Sequence, residues 1–137
     1  MADRDLLLAK TNSIQNCLQR IRDVTKGDAK TVIDLNVQDV VVLNLQRAVQ
    51  LVIDMASYVV TSEQLGLPQT LKETFVILAN NRILDRALAD KMGRMVGFRN
   101  IAVHDYQAID PQVLEAILTH RLKDLEDFYT ALLQRAQ

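Results

Sequence analysis

Apolar residues return every three or four positions through nearly the whole chain, the period of one face of an α-helix rather than the alternation of a strand. The first run predicts a helix over about residues 3–24, with Leu7, Ile14, Cys17, Leu18, Ile21 and Val24 on one side. Gly27, inside the polar cluster 26–30, ends it. The second run, about 37–61, is the most apolar and is rich in valine (Val40, Val41, Val42, Val49, Val52). It is too long for a strand and holds no internal turn signal, so it reads as a helix. Its apolar residues cover more than one face, which predicts burial from two sides. The chain's own core is one of these, and a second subunit is a candidate for the other. A narrow polar stripe of Asn44, Arg47, Asp54 and Tyr58 runs along it. Within that stripe Arg47 and Asp54 read as an ion pair, within the helix or between subunits, with a structural rather than catalytic role, and Tyr58, like Tyr129, as a tyrosine at the edge of the core.

Residues 62–69, with Gly66 and Pro68, form a loop. Thr70 with Glu73 three positions on makes a capping box for a short helix to about Ala79, which Asn80 and Asn81 break. A fourth helix carries Leu84, Leu88, Met92, Met95, Val96 and Ile101 and ends near His104. Asp110 followed by Pro111 is a strong start signal for a last helix running to about Arg135. The expected architecture is all-α, an up-and-down bundle of about five helices, in one domain over residues 1–137 without internal repeats.

Composition adds limits. Of 137 residues 49% are hydrophobic, and four glycines and two prolines leave little punctuation, as suits a few long helices around one core. A net charge of −1 argues against a protein that coats nucleic acid non-specifically. Residues 82–99 nevertheless hold five basic side chains against two acidic ones, a local +3 that reads equally as a solvated face or as an RNA-facing patch. The single cysteine, Cys17, excludes an internal disulfide and reads as a buried thiol. The first ten residues have too short an apolar run for a signal peptide, and no uninterrupted apolar stretch spans a bilayer, so a cytoplasmic protein without membrane association is expected. One cysteine, two distant histidines and the lack of an HExxH pattern predict no metal site, and no glycine-rich phosphate loop is present, so no cofactor is expected. His120 reads as a surface residue.

The candidate chemistry lies in GFRNIAVHDY, residues 97–106. Arg99 stands five positions before His104, and Tyr106 two beyond it. A permanent cation can hold a phosphate, and an imidazole can take a proton from a ribose hydroxyl near neutral pH. Asn100, four before His104, is placed to support either; Arg94 and Arg47 are further candidate RNA contacts. Five residues of ideal helix leave Arg99 and His104 about 140° apart. Three arrangements would bring them together: the arginine reaches round, the helix frays before His104, or two subunits share the site. Gly93 and Gly97 lie four apart on one face, and glycine inside a helix costs roughly 1 kcal/mol against alanine. Such a pair suggests close helix packing, within the bundle or across a two-fold axis.

The run MVGFRNIAVHDY resembles the arginine-x4-histidine-x-tyrosine signature of the HepT family of HEPN-domain ribonucleases. RAVQLVIDMASYVV, LGLPQTLKETFVILA and the closing helix after Asp110-Pro111 are similar to that family too, so the resemblance covers nearly the whole chain. It implies a HEPN-like bundle that pairs into a homodimer with the two motifs facing each other. It also implies a metal-independent endoribonuclease toxin of a type VII-like toxin–antitoxin system, with Arg99 and His104 catalytic and Asn100 in support. The implied partner is a small MntA-like nucleotidyltransferase antitoxin, which would transfer AMP onto Tyr106 and silence the nuclease. The rival expectation is a non-catalytic partner that restrains a nucleotidyltransferase.

Overall fold

The computed structural model describes residues 2–136. Among these residues six α-helices follow one another: α1 (Arg4–Thr25), α2 (Leu35–Ser62), α3 (Leu71–Asn80), α4 (Arg86–His104), α5 (Pro111–His120) and α6 (Leu122–Arg135). Short 3-10 turns, Ala29–Ile33 and Tyr106–Ala108, precede α2 and α5. No strand occurs among the described residues.

Five helix starts are written into the sequence as side-chain caps. Asp3, Asp34, Asp85 and Asp110 each accept a backbone N–H of the first turn of α1, α2, α4 and α5. Thr70 accepts from the Glu73 N–H at 3.1 Å, and Glu73 reaches back to accept from the backbone N–H of Gln69, one residue ahead of the capping box expected. Only α6 begins without a cap. Its start, Arg121, sits at φ −115° and ψ −11°, close to helical values. The single closing helix expected from periodicity is therefore two, and the all-α bundle holds six helices among the described residues. The break is set by packing. It lets α5 lie over the first 3-10 turn while α6 turns back against α1, α2 and α4.

Helix α2 runs through the middle, in contact with α1, α3, α4, α6 and the first 3-10 turn. By length and composition it could cross a membrane, with mean hydropathy 1.3 over its most apolar window. Here its many buried residues, from Val41 to Val60, face helices of the same chain. The second buried side is thus filled within the protomer. Exceptions stand at its N-terminal half, where Leu35 and Leu43 are exposed. The polar stripe divides: Asn44 is buried, Asp54 accepts from the Gln50 amide, and the Tyr58 hydroxyl accepts from the backbone N–H of Asp3. No Arg47–Asp54 ion pair forms among the described residues. Tyr129 is buried at the core edge, with Phe75 and Phe128 meeting edge to face nearby in the core at 5.8 Å. Cys17 is only half-buried; that burial pushes its thiol pKa up, with Arg47 pulling it the other way.

The C-terminal ends of α2 and α6 are tied by a two-pronged Arg135–Glu63 ion pair. The Arg135 hydrogen bonds hold the Glu63 carboxyl below its ordinary value of 4.5, against the opposing effect of burial. A depressed carboxylate contributes stability above about pH 4.5 that is lost as pH falls through its folded value. Arg135 is well exposed, so the contribution is small, about 0.5–1 kcal/mol. Glu63→Gln should lower the thermal midpoint at pH 7 by roughly 2–4 °C, and the gap from the parent should narrow as the pH falls from 4.5 in melts followed by circular dichroism.

Candidate active site at the end of helix α4

Helix α4 continues without fraying through His104, and the chain leaves helical geometry at Asp105 (φ −151°, ψ 67°). Of the three arrangements open from the sequence, fraying before His104 is therefore removed. In this unbroken helix Arg99 and His104 project about 140° apart. The two exposed residues between them are Val103, about 40° round from Arg99, and Asn100, about 100° round.

Arg99 is half-buried, and its guanidinium donates to the Asn100 side-chain oxygen at 3.1 Å. Its Nε is buried and has no hydrogen-bond partner among the described residues. An unsatisfied buried donor costs about 1–3 kcal/mol, more on a charged group, so this nitrogen is poised for an incoming acceptor such as a phosphate oxygen. The His104 imidazole is exposed and makes no hydrogen bond among the described residues. The imidazole is open to solvent and the guanidinium partly so, and the helix sets the two side chains on different faces.

Tyr106 starts the 3-10 turn after α4, and its hydroxyl donates to the Asp39 carboxylate on α2 at 2.5 Å. Burial first, then this hydrogen bond and the Asp39 charge, push the phenol pKa up from 10 to about 12. Asp39 lies 67 positions away in the chain, and no spacing signal in the sequence points to it. The fold alone makes it a neighbour of the motif tyrosine.

The outlying candidates separate. Arg94 is exposed on α4, beside a slot between α4 and α5. Arg47 is exposed on α2 and lines a different depression, with Arg20 and Cys17, between α1 and α2. His120 is exposed at the end of α5. Neither glycine of α4 meets a backbone of its own chain: a Cβ on Gly93 would touch only the Lys72 side chain at 3.7 Å, and one on Gly97 nothing within 4 Å. No group of three or more His, Cys, Asp or Glu side chains suited to a metal occurs among the described residues.

Residues 14–132 match the family model described as Ribonuclease HepT-like. The mRNA nuclease HepT of Shewanella oneidensis is 38% identical over 124 residues, 90% of this chain and 93% of that protein. A crystal structure of a toxin–antitoxin with AMP-PNP superposes with a TM-score of 0.88 at 36% identity, covering 97% of this chain and 99% of the other. The tri-AMPylated HEPN toxin of Shewanella oneidensis, in complex with its MNT antitoxin, superposes with a TM-score of 0.87 at 36% identity over 100% of both chains. Matching in sequence over most of its length and in fold over nearly all of it, with Arg99, His104 and Tyr106 at the end of one helix, this chain belongs to the ribonuclease HepT-like family.

Proposed function

We propose that this chain is the toxin of a toxin–antitoxin pair: a homodimeric, metal-independent endoribonuclease acting in the cytoplasm and silenced by AMP transfer onto Tyr106. The observation that carries the reading is the division of labour on α4. Arg99 offers an unpartnered buried donor on one side of the helix, and His104 offers a free imidazole on another. Val103 and Asn100 form the exposed strip between them. A two-fold axis along that strip sets His104 of one protomer toward Arg99 of its partner, which gives two equivalent composite sites.

In each site His104 takes the proton of a ribose 2′-hydroxyl as that oxygen attacks the adjacent phosphorus. Arg99 stabilises the negative charge that builds on the phosphorane oxygens, and Asn100 holds the guanidinium in position. The P–O5′ bond breaks, the leaving oxygen is protonated by water in the open cleft, and a 2′,3′-cyclic phosphate remains. The antitoxin is a nucleotidyltransferase that joins the Tyr106 oxygen to the α-phosphorus of ATP and releases pyrophosphate. The attached AMP adds a negative phosphodiester and a nucleoside two residues from His104, where both oppose the entry of an RNA phosphate.

Mixed dimers test the shared site. One protomer carries Arg99→Ala and the other His104→Ala, so one of the two composite sites keeps both groups. Random pairing makes half of the dimers mixed, and about a quarter of wild-type sites should survive, measured as cleavage of a fluorescent RNA. A mixture as inactive as either parent variant would place both groups within one protomer and reject the composite site.

A further inference from the structure

Past His104, the exposed side of α4 leads away from the cleavage centre. Ile101 lies about 60° round from His104 and about 4.5 Å back along the axis; Gly97 lies about 20° round and about 10.5 Å back. Both line a slot of about 410 Å³ between α4 and α5, within the range of small-ligand sites. Its walls are apolar, with Met95, Phe98 and Ile101 from α4 and Val113 and Ile117 from α5. Four cations border it: Lys72, Lys91, Arg94 and Arg121.

No carboxylate lines the slot. The nearby Asp124 is buried, reaches Lys91 and Arg121 only at 3.8 Å each, and leaves one of its oxygens without a hydrogen bond. One loosely paired acid does not neutralise four cations. Gly97 keeps the mouth open, since its missing side chain faces space that no other group fills.

An apolar floor with a cationic rim is what one unstacked nucleotide of a single strand requires. Its base needs a dry face and its phosphates need positive charge. We propose that the slot is a nucleotide subsite that seats a base about one or two positions from the cut and sets the sequence preference of cleavage. The inference rests on the Arg99 and His104 reading above. The slot walls carry no amide or hydroxyl side chain, so selection comes from contact area rather than hydrogen-bond readout, and a purine is preferred over a pyrimidine.

The test uses the full-length dimer and short oligonucleotides with one cleavable ribonucleotide. The flanking positions carry a purine, a pyrimidine or an abasic sugar. Wild type should cleave the purine substrate about tenfold better than the abasic one in kcat/KM, the scale of one stacked base. Gly97→Leu fills the mouth and should erase the purine advantage while the abasic oligonucleotide is still cut. Ile101→Ala, at an exposed position that does not threaten folding, should weaken the preference by removing part of the wall. Equal cleavage of all three substrates by wild type overturns the subsite, as does an intact preference in both variants. Intact preference combined with lost co-purification of the antitoxin would assign the slot to the protein partner instead. Normal cleavage by Arg99→Ala in the same assay would sink the underlying site and not the slot alone.

Discussion

Alanine at His104 is expected to lower RNA cleavage by a factor of about 10²–10⁴, the usual contribution of one positioned acid–base group. Nothing in the structure stands ready to replace it, because the imidazole is exposed and has no hydrogen-bonded neighbour among the described residues. Arg99→Ala should be at least as damaging, since in the proposed mechanism it removes the charge that faces the phosphorane. Arg99→Lys should rescue little of the loss: a lysine has no Nε–H at the buried position now lacking a partner, and no planar fork. Both alanine variants should fold, as the two side chains lie outside the buried core. Initial rates on a defined RNA in EDTA, with melting curves as the folding control, decide the matter. In cells the parent expressed alone should arrest growth and His104→Ala should not. Full activity in either alanine variant would remove these residues from the mechanism, and a parent that leaves growth untouched would favour the non-catalytic partner.

Loss of the Tyr106 hydroxyl is expected to abolish silencing. In Tyr106→Phe the proposed acceptor oxygen is gone, so co-expression with the nucleotidyltransferase should leave the intact mass free of AMP increments and RNA cleavage undiminished. Asp39→Ala probes how the acceptor is held. The phenol donates to Asp39 and is kept protonated up to about pH 12, so its proton has to depart during the transfer itself. Without Asp39 the phenol should ionise closer to its ordinary 10, although burial still raises it, as seen in the Cζ shift of labelled tyrosine against pH. Once AMP is attached, the ester oxygen has no hydrogen to donate, and the new phosphate faces the Asp39 carboxylate. The turn Tyr106–Ala108 should then be released from α2 and exchange its amide hydrogens faster. AMP found on Tyr106→Phe at unchanged stoichiometry would locate the modification elsewhere.

The helices were legible because their signals are local. Period and caps lie within a few residues of each other, so the starts at Thr70 and Asp110 follow from hydrogen bonds that span two or three positions, whereas Asp34 starts α2 two residues before the position its apolar period marks. The break at Arg121 has no such signal. No cap, proline or glycine marks it, and it exists because α5 and α6 find different partners. Burial on two sides of α2 was legible in its apolar faces, but what would cover the second side was not, and the chain itself covers most of it.

The motif shows the same division. Arg99, His104 and Tyr106 were identified from a ten-residue stretch, because their chemistry and spacing reside in the residues themselves. That stretch supplies a group that can bind phosphate and one that can move a proton, while the AMP-accepting role of Tyr106 is what the family resemblance implies. Whether α4 stays helical through His104, which carboxylate receives the Tyr106 hydroxyl, and where four scattered cations border one apolar slot were decided only by the tertiary structure. Those facts depend on groups far apart along the chain: only packing of the helices around α2 brings the Tyr106 hydroxyl to Asp39 and sets Lys72 and Arg121 at the rim of one slot.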